Sequence, residues 1–158
     1  MIRAARFAYA AVALAFVVAI LLQVYFIGLG LFSSADFRQL HADFGWILHL
    51  VPPFIVLAAG LAAAGRARIL QAVALAVVIF FTPILAAVRA DAPLTAAFHP
   101  VAAVLGFLLA IVVSRGAVTL LRSDDAESRT TLADWILVAV VAALYLFVSL
   151  SGSPEPAG

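Results

Sequence analysis

The chain has 158 residues, of which 67% are hydrophobic and 11% charged, and its net charge is +1. No soluble domain of this size could cover so much apolar surface, so the composition is that of an integral membrane protein in a lipid bilayer. The near-neutral, lysine-free chain argues against a nucleic-acid partner, and the absence of cysteine excludes disulfides, iron–sulfur clusters and thiolate nucleophiles.

Taken in order, the first apolar run extends from about Phe7 to Phe32 behind Arg3 and Arg6. It is too long for a signal-peptide core and predicts an uncleaved transmembrane helix. Gln23 is its one strongly polar interior residue. Gly28 and Gly30, near its far end, would admit a second backbone or a flat ligand. The turn SSAD leads into a second helix from about Phe37 to Ala64, with Asp36 as the expected N-cap and Gln39 as its capping-box partner. Pro52 and Pro53 lie in its middle and predict a kink.

The basic turn Gly65-Arg66-Ala67-Arg68 precedes a third helix from about Ile69 to Val88, with Pro83 as an interior breaker. After ADAP a fourth helix runs from about Pro93 to Ser114, and a fifth from about Leu132 to Leu150. The predicted fold is all-α, a transmembrane helical bundle. Its domains are a four-helix up-down core over residues 1–115, a cytoplasmic polar loop over 116–131, a fifth transmembrane helix over 132–150 and a disordered tail over 151–158.

Arginine placement predicts orientation. Arg3, Arg6, Arg66, Arg68, Arg115, Arg122 and Arg129 lie at one end of the helices, and only Arg38 and Arg89 at the other. This asymmetry puts the N-terminus in the cytoplasm and the C-terminus outside a bacterial inner membrane.

Ionisable side chains inside hydrocarbon-length segments are costly, which makes the three histidines the candidate functional residues. His41 stands near the start of the second helix and His99 near the start of the fourth, at similar depth in a weak internal repeat of two helical hairpins. In an up-down bundle those two helices are parallel. If diagonal, they could hold a flat macrocycle between two axial imidazoles, as in b-type haem. Gly45, one turn below His41, and Ala102, Ala103 and Gly106 beyond His99 would let a ring approach the backbone. Arg38 and Arg89 are the cations that haem propionates would want; the plainer reading pairs Arg38 with Asp36 or Asp43, and Arg89 with Asp91.

His49 lies about 12 Å deeper than His41 along the helix. A buried hydrogen bond to Gln23 is the preferred reading of it, and the alternative makes His49 the iron ligand in place of His41. Asp43 is the acidic residue placed to orient the His41 ring. A zinc or copper site on the three histidines stays open, although His41 and His49 have neither i+3 nor i+4 spacing. No phosphate-binding glycine loop, GxSxG or HExxH motif occurs.

The pattern QVYFIGLGLF, LHADFG and FHPVAAVLGFLLA resembles a family of small, uncharacterised multi-pass proteins of GC-rich bacteria, over roughly Leu22 to Val113. More distantly the arrangement is similar to one four-helix half of haem A synthase, and more loosely to b561-type cytochromes. His41 and His99 match the histidines that haem A synthase carries near the outer ends of the second and fourth helices of each half. Gln71 to Val73 resemble the start of its third helix. The resemblance implies haem binding; it does not extend to haem oxidation, because one half is absent and the catalytic acidic residue of the first outer loop has no counterpart. The expected function is electron transfer or haem handling. Alternatives are a cofactor-free accessory subunit of a larger complex or homo-oligomer, with helix five and the DDAES segment as docking elements, and a small-molecule transporter.

Overall fold

The computed structural model describes residues 2–123 and 130–150, with side chains through residue 147. The DDAES segment and the tail lie outside the described residues. Helices form wherever the apolar runs predict them, because a chain in lipid must satisfy every backbone group within its own segment. In order they are α1 (Ile2–Phe32), α2 (Asp36–His49), α3 (Val51–Leu61), α4 (Arg66–Ala87), the short α5 (Pro93–Ala96), α6 (His99–Arg122) and α7 (Leu132–Leu150). Four spans, Ile2–Phe32, Asp36–Leu61, Arg66–Ala87 and Pro93–Arg122, are long and apolar enough to cross a membrane. The protein is an all-α helical bundle and an integral membrane protein.

The Pro-Pro pair splits the second span. Prolines have no N–H to give to the carbonyls one turn back, so α2 ends at His49 and Pro52 and Pro53 open α3. Position Ala97-Phe98 breaks the fourth span similarly, and His99 restarts it with Pro100 in its first turn. Several boundaries differ from the sequence reading. α1 begins at Ile2, α3 ends at Leu61, and α4 begins at Arg66 and runs through Pro83 without a break. The start of α2 and the end of α6 differ for reasons seen in their contacts. Ala35, not Asp36, is the N-cap of α2; the Ser34 hydroxyl accepts from the Asp36 N–H, and Gln39 reaches Asp43 instead of the cap. α6 also continues past Ser114 to Arg122, because Ala117, Leu120 and the half-buried Val118 keep an apolar face against the bundle while Arg115, Thr119 and Arg122 stay exposed.

α1 packs on α2, α3 and α6, and α4 packs on α3 and α6, so α2 and α6 occupy one diagonal. α7 lies outside this four-helix core against α3 and α4. Its start is anchored by a capping box, with the Thr131 hydroxyl accepting from the Asp134 N–H while the Asp134 carboxylate accepts from Thr131. The Thr130 hydroxyl donates to the Gly60 carbonyl at 2.7 Å, and the Trp135 ring covers the glycine itself. Farther along, the Tyr145 hydroxyl donates to the Ala76 carbonyl at 2.6 Å.

Burial is unequal along the bundle. Toward the arginine-rich end, Tyr9, Ala13, Phe16, Ile55, Ala59, Ile69, Leu75, Val113 and Ala117 form a dry core. There Arg6 is itself buried and donates to the Leu120 and Ser123 carbonyls at the end of α6. Toward the histidine end the inward stripe continues through Gln23, Phe26, His41, Phe44, Thr82, Leu85, His99 and Ala102, but each is only half-buried. Across residues 21–47 and 81–105, Gly30 alone is buried.

Candidate functional site

The two hairpins, α1 with α2 and α4 with α6, each fix a histidine in the same manner. His41 Nδ1 lies 2.9 Å from the Gln23 carbonyl, and His99 Nδ1 lies 2.8 Å from the Thr82 carbonyl. A carbonyl can only accept, so each Nδ1 carries a proton, and in the neutral ring Nε2 is then the nitrogen with the lone pair. That tautomer, with its N–H held by main chain, is the form in which a histidine ligates a metal. His99 Nε2 has no partner among the described residues. His41 Nε2 stands 3.5 Å from the Gln23 amide nitrogen, which donates at 2.7 Å to the His41 carbonyl. The Gln23 amide oxygen is buried without a partner among the described residues.

Gln23 therefore pairs with a histidine, but with His41 and not His49. The reason is hairpin register. Gly30 packs against Arg38 and Gly45 against Gln23, which leaves His49 one turn deeper than Gln23. His49 is 3% exposed, and its Nδ1 approaches the Ile79 carbonyl at 3.4 Å. That carbonyl would normally accept from residue 83, which is a proline with no N–H to give. The imidazole takes up the acceptor that Pro83 leaves bare. Its ring sits among Trp46, Phe80 and Tyr145, with centroids 5.8, 5.6 and 5.0 Å away. His49 is a joint between α2, α4 and α7.

The remaining candidates divide. Asp43 does not orient His41; it accepts from Gln39 at 2.7 Å on the exposed face of α2, while the ring is oriented by main chain. Neither arginine makes the expected ion pair. Arg38 Nε donates to the Gly30 carbonyl at 3.1 Å, and the exposed Arg89 has no partner among the described residues. A Cβ on Gly45 would stand 2.7 Å from the Gln23 amide nitrogen, and one on Gly106 would stand 2.7 Å from Ile79 Cδ1. Both glycines thus receive side chains of the neighbouring helix. Gly28, by contrast, has nothing within 4 Å of its Cβ position.

For a haem, the donor set fits: one imidazole on each of two diagonal helices, each bonded to main chain through Nδ1, with Arg38 and Arg89 at the same end. The Gly45 and Gly106 notches give the ring no room, since the Gln23 amide and Ile79 fill them. The three-histidine zinc or copper arrangement is not assembled, since among the described residues no three His, Cys, Asp or Glu side chains group as a metal site. Sequence reasoning missed the Thr82 and Ile79 carbonyls and the Tyr145 ring, which comes from the helix outside the repeat. No family model, curated protein or solved structure matches this chain.

Proposed function

We propose that the histidine end of the bundle binds one b-type haem between His41 and His99, for electron transfer or haem handling in a bacterial inner membrane. The observation that carries this reading is the matched pair of imidazoles, each with Nδ1–H on a main-chain carbonyl of its own hairpin, at the end of the bundle where the inward side chains are only half-buried. Bound haem would supply one-electron exchange at its iron. The protein's part is to hold both Nε2 lone pairs in place and to offer the propionates the Arg89 guanidinium and the terminal nitrogens of Arg38. With six of the eight described arginines at the opposite end, the haem would lie toward the outer leaflet, the N-terminus in the cytoplasm and the C-terminus outside.

The second reading is a cofactor-free subunit of a larger membrane complex or homo-oligomer. It is favoured by the Gln23 amide and Ile79 already occupying the spaces beside Gly45 and Gly106. Absorption spectra of detergent-purified protein, expressed with haem supplied, separate the two. The haem reading expects a low-spin Soret band that is lost in His41→Ala and in His99→Ala and kept in His49→Ala. Colourless wild-type protein would reject it in favour of the subunit.

A further inference from the structure

At the arginine-rich end, α1 and α6 border an open groove of ≈ 270 Å³ lined by Leu14, Ser114, Arg115, Val118, Thr119 and Arg122. Arg115 and Arg122 are seven residues apart on one exposed face of α6, which separates them by about 10 Å along the helix. Among the described residues neither guanidinium has a hydrogen-bond or ion-pair partner, and no carboxylate lines the groove. Both hydroxyls are engaged by their own helix: Ser114 donates to the Ile111 carbonyl and Thr119 to the Arg115 carbonyl. The donors left for a ligand are the two guanidinium forks, whose planar geometry suits phosphate oxygens.

Depth identifies the occupant. Leu14 faces the same groove as Arg115, yet it lies eight residues, or about 12 Å, into the bundle from Arg6 along α1. The intervening stretch, Phe7 to Ala13, is wholly apolar apart from the Tyr9 hydroxyl. Arg115 is therefore a cation at the edge of the hydrocarbon, with aliphatic side chains beside it and no counter-ion among the described residues. Such a charge is stabilised by an anion that reaches the same depth. A lipid headgroup phosphate is held at that edge by its own acyl chains, whereas a free phosphate has nothing to keep it there.

We infer that this groove is a binding site for an anionic phospholipid, with the headgroup phosphate between Arg115 and Arg122 and an acyl chain along Leu14 and Val118. The test uses the full chain, delipidated in a neutral detergent. It is offered phosphatidylglycerol or phosphatidylcholine of the same acyl composition, with retained lipid read by native mass spectrometry and stability by thermal scan. Phosphatidylglycerol should be retained and should raise Tm, and phosphatidylcholine should do neither. Arg115→Gln and Arg122→Gln should each weaken retention about fivefold, and the double variant should lose the preference.

Arg3→Gln, the same charge change at an exposed residue of the same end, should keep the preference. Arg115→Lys with Arg122→Lys, which preserves charge and fold, should keep it in weakened form and guards against a neutralised variant that fails to fold. Unchanged retention by the Gln double variant, or an equal loss in Arg3→Gln, would overturn the site. Stabilisation by inorganic phosphate equal to that by phosphatidylglycerol would reassign the groove to a soluble anion.

Discussion

A methyl group at position 45 would meet the Gln23 amide nitrogen at 2.7 Å, and this contact gives the glycine its role. The Gln23 side chain crosses the face of α2 at Gly45 to reach the His41 carbonyl. Gly45→Ala should push the amide off its acceptor and cost about 1–2 kcal/mol of stability. Combining it with Gln23→Ala should cost less than the sum of the two single changes, because the clash and the lost hydrogen bond are one event. Thermal or chemical unfolding of the four proteins measures this. Additive costs would show that Gly45 answers to something other than Gln23.

His41 and His49 were both visible as costly polar residues in an apolar segment; their partners were not. Gln23, Thr82 and Ile79 contribute carbonyls to the three imidazoles, and a carbonyl is the same at every position of a sequence. Pro83 was the legible half of the His49 contact, since its missing N–H announces an orphan acceptor at Ile79. Which side chain would take that acceptor depended on the packing of α2 against α4.

At the scale of elements, the connection between α3 and α4 carries local strain. α3 closes in a Schellman turn, with the Ala63 N–H on the Gly60 carbonyl and the Ala64 N–H on the Ala59 carbonyl. The turn requires a left-handed residue at position 63, and an alanine supplies it at φ 48°. Glycine adopts that conformation without the Cβ clash. Ala63→Gly is therefore expected to raise stability by about 1 kcal/mol, read as a higher Tm at unchanged helix content. A lower Tm would mean that the alanine methyl contributes more in packing than its conformation costs.

Element positions were readable because apolar runs of membrane length leave few alternatives, and the Pro-Pro break was readable from Pro52 and Pro53 themselves. The end of α6 was not. RGAVTLLR looks like a loop when polarity is counted residue by residue, but its apolar positions continue the buried stripe through Ala117 and Leu120. In the sequence, Arg6 counted only toward orientation. It is a buried cap on a helix that ends more than a hundred residues later, a pairing that no local pattern announces.

At the scale of the whole molecule, the two histidine contacts turn the weak sequence repeat into a repeated device. In each hairpin an imidazole at the start of the returning helix bonds to a carbonyl of the helix before it, 18 and 17 residues earlier. Each hairpin thus has its own contact at the histidine end, and the shared dry core lies where the two pack together. The covalent link between them is the turn at residues 62–65. Two-stage assembly of membrane helices requires no such link once each piece is inserted. A gene cut within that turn should then yield two polypeptides, residues 1–64 and 65–158, that find each other in the membrane and co-purify through a tag on either one. Replacing His41 or His99 should weaken this complementation by loosening one hairpin, whereas Arg6→Gln should weaken it by removing a contact between the pieces. Halves that insert but never associate would show that the connecting turn, and not the docking surface, holds the molecule in register.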